Sequence, residues 1–361
     1  MKKLLREMVP SRIREKLGAD SNIILLNGRD VFSAMRDEKL IIMACNARIR
    51  HVIPGIMQAA EELDAVVAFE LTRTEGGVDG GYTGQTPEIF STTIIDYADR
   101  VNFTKPFLIH GDHITIKDAT TVAIEEAEQL IKAQISAGFT SFTIDASFNP
   151  LQDNIGIIRI LAELIAAEGY GLEVELKKGK QEAGEFSLTS VDETEEFLAG
   201  LTACGVRPLL LSVDNGSRSG NYLEGQKINI DLERTLEIYN CAKGYGLAGL
   251  VQNGITGTPL QIVGKLADYG VRKGNIGTLW QNIAHAGLPF ELMDDMRKWS
   301  KKNRTDIKFA TGVFKDDIDS IPEENARQIH EMSYRETKEL LTAFRARGSA
   351  TRLVSLLEEA G

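Results

Sequence analysis

The stretches FLIHGDH (107–113) and SFTIDAS (141–147) frame a longer segment, 119–136, whose apolar residues recur at helical spacing. Two short runs rich in Phe, Ile and Leu, separated by an amphipathic helix, read as parallel strands joined by a crossover. Such strands are buried on both faces and lose strict alternation. Working outward, the same unit repeats. LIIMACN (40–46) and AVVAFELT (65–72) precede it; LEVELK (172–177), PLLLSVD (208–214) and LAGLVQN (247–253) follow, and the weaker NIGT (275–278) closes the series. Helical spacing fills the gaps, as over 151–168 and over 190–203, where Ser190 and Glu193 stand at capping-box spacing. Eight strand–helix units over about 240 residues predict an α/β TIM (β/α)8 barrel. A doubly wound open sheet needs fewer strands and a Gly-rich first turn, which is absent.

The flanks read as extensions of this barrel, which is placed at 39–300. Residues 1–38 are expected to be an N-terminal helical segment, opening on an amphipathic helix with Leu4, Leu5, Met8 and Ile13 on one side. Residues 301–361 are expected to form a C-terminal helical extension, with a polar stretch near 300–317 and helical patterns over 323–345 and 350–359. The chain has 361 residues, with 41 Lys and Arg against 52 Asp and Glu, giving a net charge of −11. That balance argues against nucleic-acid binding, which needs a concentrated basic face. Three cysteines without a CxxC argue against a disulfide scaffold or a thiolate zinc cluster. No run approaches the roughly 18 apolar residues that span a bilayer, and no signal-peptide core is present, so a cytoplasmic setting is expected.

In a barrel, chemistry gathers at the C-terminal ends of the strands. Those ends are polar here: Asn46; Glu70 running into Thr74 and Glu75; His110–Asp112–His113; Asp145; Glu175 and Lys177; Asp214 to Gly220; Asn253 to Thr258; and Asn275 with Thr278. HGDH is the sharpest signal, since a His-x-Asp-His strand end can put a general base beside a metal ligand. Strand alternation pairs His110 with Asp112 on one face and Gly111 with His113 on the other, unless the strand ends early and His113 turns inward. Asp145 and Glu175 on adjacent strand ends can converge on a divalent cation or pair with Lys177. Gly254, Thr256, Gly257 and Thr258, before a helix opening at Pro259, read as a phosphate cradle, with Gly220 adding to it.

HGDH, TIDAS, EVEL, GSRSGNY, QNGITGTP and KGNIGT, in that order, resemble the motifs of class II (metal-dependent) ketose-bisphosphate aldolases from about residue 38 to 300. AFRARGSATR (343–352) is similar to the family's closing helix. The resemblance implies that Asp112 moves a proton to the substrate carbonyl or aldehyde and that His113 is a zinc ligand. It maps the Asp and Glu of the next two strands onto Asp145 and Glu175, and the Ser of the strand-2 loop onto Thr74. Two further zinc-binding histidines of the family fall at Ser219 and Asn253, and its strand-8 aspartate falls at Gly277 or Leu279 according to register. GGVDGGYTGQTPEIF (76–90) resembles a motif of tagatose-bisphosphate aldolase accessory subunits and related sugar-acid epimerases; it reads as a lid with Tyr82 as an aromatic wall.

The expected function is therefore an aldolase-type lyase acting on a phosphorylated ketose through an enediolate. Asp112, Glu175 and Lys177 are the catalytic candidates, the last as a possible Schiff-base lysine. Asn46, Thr74, Gly220, Asn253, Gly254, Thr256, Gly257, Asn275 and Thr278 are the substrate- and phosphate-binding candidates. A divalent metal, Zn2+ by resemblance, is expected on His113 with His110, Asp145 or Glu175. The alternatives are a sugar-phosphate epimerase or isomerase, and a non-catalytic subunit of a partner aldolase. A homo-oligomer is expected by family analogy, with no nucleic-acid or membrane partner.

Overall fold

The apolar runs form strands because each is covered on its outer face by a helix and closed on its inner face by its neighbours. A computed structural model describes residues 2–18, 21–176, 188–218, 220–221 and 229–360. Lys177 and Ser219 lie outside the described residues.

Two short helices open the chain, α1 (Lys2–Met8) and α2 (Ser11–Leu17), where one continuous helix is expected. Pro10 separates them, since its ring blocks the hydrogen bond that would continue α1. Leu5 and Ile13 are still buried, as the amphipathic pattern requires. Residues 1–38 are also not purely helical. Leu25 bridges Phe107, and α3 (Gly28–Ala34) closes the bottom of the barrel, with Gly28 N–H donating to Thr140 C=O at 3.2 Å.

The alternation then runs β1 (Ile42–Asn46), α4 (Ile53–Glu62), β2 (Val67–Thr72), α5 (Pro87–Arg100), β3 (Phe107–Thr115), α6 (Thr121–Ala137), β4 (Ser141–Asp145), α7 (Leu151–Ala167), β5 (Gly171–Leu176), α8 (Val191–Ala203), β6 (Leu210–Val213), α9 (Leu232–Gly244), β7 (Gly249–Gln252), α10 (Leu260–Val263), β8 (Val271–Ile276) and α11 (Thr278–Gly287). All eight strands are parallel and close in sequence order, β8 pairing back on β1 through Asn275 and Ala44. Several helices start on the side-chain caps that the sequence supplies. Thr86, Thr120 and Asp231 each accept a backbone N–H, and Ser190 and Glu193 form the full capping box. Each cap contributes about 1 kcal/mol.

The last strand differs from expectation. It is VRKGNI, not NIGT, and Gly277 and Thr278 already belong to the start of α11. Arg272 and Lys273 disguise it in the sequence, yet both are buried. Arg272 donates to the carbonyls of Arg36, Ala267 and Val271, which removes the cost of burying its guanidinium unpaired.

Beyond the barrel, α12 (Phe290–Asn303), α13 (Ala310–Val313), α14 (Lys315–Asp319), α15 (Glu323–Ala343) and α16 (Ser349–Ala360) follow, so most of the polar stretch is helical too. Phe344 is fully buried, with its ring over Gly274 of β8 and its carbonyl accepting Ile41 N–H at 2.9 Å. Among the described residues, no helix is long and apolar enough to cross a membrane.

Candidate active site

Parallel strands point their C-terminal ends to one mouth, and their inward side chains build it in layers. The lowest layer is ionic. Lys273 of β8, with no exposed surface, sits 3.1 Å from Glu70 of β2 and 3.0 Å from Glu173 of β5. Burial works against the ammonium, but Glu173, Glu70 and Asp112 outweigh it and push Lys273 upward. Burial, with the negative charge of Asp112 next, raises the Glu70 carboxyl well above the usual range. One cation thus serves two buried carboxylates, and burial favours the protonated form of Glu70. His110 lies in this layer, 2.7 Å from Thr143 Oγ1. Burial and then the nearby Lys273 hold it well below the usual histidine range, so it stays neutral.

Above this layer a local irregularity brings two adjacent residues to the same place. Strand β3 runs on to Thr115, but its pairing with β4 slips between Gly111 and Ile114, and His113 takes a φ of +40°. That bulge breaks the alternation, so Asp112 and His113 both line the mouth. A non-glycine residue with positive φ carries roughly 1 kcal/mol of strain, a feature that clusters at functional sites.

The polar groups then close into a ring. Asp112 accepts from Asn275 at 3.2 Å; Asn275 donates to Asn253 Oδ1 at 3.0 Å; Asn253 donates to Ser212 at 2.9 Å. Ser212 donates to Glu175 at 3.4 Å, Glu175 meets His113 Nδ1 at 2.7 Å, and His113 Nε2 returns to Asp112 at 3.7 Å. Asn46 adds a second donor to Asp112 at 3.1 Å. Asp145 lies 3.7 Å from His113 Nδ1 and accepts from Ser147 at 2.7 Å.

A cleft of about 180 Å³ opens above Asp112 and His113. Of the expected binding residues, Asn46, Gly220, Asn253, Gly254, Thr256, Asn275 and Thr278 line it. Gly254 has φ +70°, and a Cβ there would meet the Arg218 carbonyl at 2.3 Å, so only glycine fits. Thr74 and Gly257 are exposed and off the cleft wall, where Thr72 takes the place expected of Thr74. The helix after Pro259 has only four residues, so the helix end at the cleft is that of α11, beginning at Thr278.

Of two further wall residues, Glu75 was read only as a polar strand end and Arg48 was not singled out from the sequence. Arg48 and Glu75 form a close pair at 2.6 Å, and Glu75 also accepts from Asn46 and from the Thr72 N–H. Arg48 donates on to Gln281 at 2.7 Å. A Cβ on Gly277 would lie 2.6 Å from the Arg48 guanidinium. Gly277 is one of the two positions at which the resemblance sets the family's strand-8 aspartate, and Arg48 fills the space that a side chain there would use. Its only advance signal was a lone arginine two residues past a strand end.

The 76–90 segment is tied down. Tyr82 N–H donates to Thr74, Thr83 donates to the Glu75 carbonyl, and Gln85 to the Arg48 carbonyl. Tyr82 points its hydroxyl at Glu75 and packs edge-on against Phe309, so it buttresses Glu75 rather than walling the cleft. His51 is buried on the Ile318 carbonyl, and His330 pairs with Gln58.

Comparison with known proteins gives this geometry its context. Residues 26–329 match the sequence profile of fructose-bisphosphate aldolase class II. The chain belongs to the class II fructose-bisphosphate aldolase family. The D-tagatose-1,6-bisphosphate aldolase subunit GatZ of Escherichia coli O1:K1 is 32% identical over 111 residues, a match spanning 28% of this chain and 26% of that subunit. The Shigella flexneri subunit of the same name matches to the same extent. The fold is shared with the YdjI aldolase of Escherichia coli K12, at TM-score 0.63 and 18% identity over 90% of this chain and 100% of that one. It is shared too with a fructose-bisphosphate aldolase of Campylobacter jejuni, at TM-score 0.62 and 18% identity over 89% and 94%.

Against this class II aldolase background, the donor set decides which metal the residues suit. A zinc site of three imidazoles does not fit, because Asn253 is a carboxamide already engaged by Ser212 and Asn275. His113, Asp145 and Glu175 do place one ring nitrogen and two carboxylate oxygens within 4.8 Å of one another, a set suited to a divalent cation. Glu70, His110 and Asp112 make a second such cluster, but one lying against the Lys273 ammonium.

Proposed function

We propose that the chain binds a phosphorylated ketose at the barrel mouth and carries out aldol-type carbon–carbon cleavage or formation there. The observation that carries this reading is the setting of Asp112: a buried carboxylate held by the amides of Asn46 and Asn275, beside His113, at the foot of the cleft. Two donating amides fix the carboxylate without neutralising it, which suits a group that takes and returns a proton.

In the cleavage direction, Asp112 accepts the proton of the hydroxyl on the carbon being split off. That oxygen forms the new carbonyl, the carbon–carbon bond breaks, and its electron pair passes into the ketose carbonyl as an enediolate. The aldehyde leaves, and protonation of the enediolate carbon completes the second product. Asp112, protonated in the first step, is the group that can return that proton. Gly254, Thr256 and the start of α11 offer backbone N–H groups and hydroxyls to a phosphate. A divalent cation held by His113, Asp145 and Glu175 would supply electrophilic help to the carbonyl.

The test is turnover of fructose- and tagatose-1,6-bisphosphate by the purified chain, with metal analysis and with each of Zn2+, Mn2+ and Mg2+ added. Asp112→Asn should lower turnover by about 10²–10⁴-fold while leaving bisphosphate binding in place. Full activity of that variant rejects the assignment. A second reading, a non-catalytic subunit that supports a partner aldolase, is favoured by the likeness to the tagatose-bisphosphate aldolase subunit and by Asn253 at a ligand position. No turnover alone under any metal, with bisphosphate still bound and a partner aldolase stabilised on mixing, selects it.

A further inference from the structure

At the end of the barrel opposite the mouth, a cavity of about 410 Å³ lies under the starts of β5 and β6, between α3, α7 and the loops after α8 and α9. Its size is that of a small-ligand pocket. Its lining residues include four arginines, Arg29, Arg36, Arg159 and Arg207, against the single acid Glu163. In a chain of net charge −11 this is a concentration of the opposite sign.

Of the neighbouring acids, Asp30 and Asp37 feel the charges of Arg29 and Arg36 without forming an ion pair with them. Asp37 is paired with Lys243 at 2.8 Å and Glu168 with Arg12 at 3.2 Å. Among the described residues, none of the four arginines has a carboxylate within ion-pair distance. Arg207 is instead held by the carbonyls of Thr202 and Val206 at 2.9 and 3.1 Å, which orients its remaining N–H donors. The rest of the lining is largely apolar, with Ile165, Leu172 and Pro208 and the half-buried ring of Tyr245. Four arginines around a partly apolar cavity, Arg36 half-buried and the other three exposed, match a small organic molecule bearing several anionic oxygens, because the planar fork of arginine pairs two N–H groups with a phosphate.

We propose that this pocket is a binding site for a small organic di- or triphosphate, separate from the reaction at the mouth. Phosphate oxygens sit among Arg29, Arg36, Arg159 and Arg207, and the organic body lies on the apolar floor toward Tyr245. The site needs no chemistry; it recognises charge and size.

Cys204 gives a local readout, because it is exposed and lines this cavity, whereas Cys45 is buried; Cys241 is removed as Cys241→Ser. The alkylation rate of Cys204 by iodoacetamide is measured with ADP or with pyrophosphate, ionic strength held constant. At ligand about ten times its dissociation constant, the rate should fall about tenfold, and Arg36→Ala with Arg159→Ala should abolish the protection. Protection by pyrophosphate equal to that by ADP assigns the site to the phosphates alone; stronger protection by ADP includes the organic body. Three results overturn the proposal: no protection at millimolar ligand, protection that survives the double substitution, or shielding without ligand that grows with protein concentration. The last would mean that a second copy of the chain covers the pocket.

Discussion

Lys273 concentrates the electrostatics of the barrel interior into one side chain. It is the cation for Glu70 and Glu173, and its charge adds to the burial that already keeps His110 neutral. Removing one partner of a buried ion pair leaves an uncompensated charge, which costs about 3–5 kcal/mol. Lys273→Met should therefore destabilise the fold by that amount in urea unfolding. Glu70→Gln should cost about 1 kcal/mol or less, because burial already favours the protonated form of Glu70, which a carboxamide mimics. Equal losses from the two substitutions would contradict the proton assignment. In the sequence, Lys273 was visible only as part of KGNIGT, and a lysine there reads as the edge of a strand. Its meaning depends on partners 100 and 203 residues away, which no local pattern carries.

At the level of elements, the seven apolar strands were legible because burial on both faces demands uninterrupted Val, Ile, Leu and Phe. Strand β8 was not, since internal salt bridges and carbonyl contacts replaced apolar content. The route of His113 into the mouth was left open by the pattern, which offered an early strand end; β3 instead runs on and a bulge in it cancels the alternation. Helix α11 shows how an element can link the mouth to the periphery. It carries Gln281, which binds Arg48, and one turn on carries His285. Burial pushes His285 down to about 4. The unfolded chain takes up that proton near pH 6.5 and the folded chain only near 4. Stability from this group is therefore full above 6.5 and falls as pH drops through the window between them. His285→Gln should flatten the pH dependence of stability between about 6.5 and 4, by up to about 1.4 kcal/mol per pH unit. Chemical denaturation at several pH values checks this, and parallel curves for the two proteins would refute it.

For the whole molecule, the C-terminal extension is part of the barrel's outer wall. Phe344 lies over Gly274, the next residue along from Lys273, and its carbonyl secures Ile41 just before β1. Phe344→Ala opens a cavity behind the β1–β8 seam and should cost about 3–5 kcal/mol in urea unfolding. A cost below about 1 kcal/mol would mean the extension is only loosely attached. A cleft lies at the strand ends, where the candidate site is expected, and seven of the nine expected binding residues line it. Thr74 and Gly257 fail because turns, not strands, decide where they point.

The polar ring at the mouth has a consequence for retrofitting the protein as a three-imidazole zinc enzyme. The sequence resemblance sets Asn253 where the family carries a zinc-binding histidine, so histidine at 253 is the obvious substitution to try. A carboxamide, however, gives to Ser212 with one atom and receives from Asn275 with another, and an imidazole has neither spacing nor flexibility to do both. The substitution would loosen Ser212 beneath Glu175 and Asn275 beneath Asp112 together. Restoring one ligand would thus disorganise two of the groups it was meant to serve, and the route back to a metal of that kind passes through several coordinated changes rather than one.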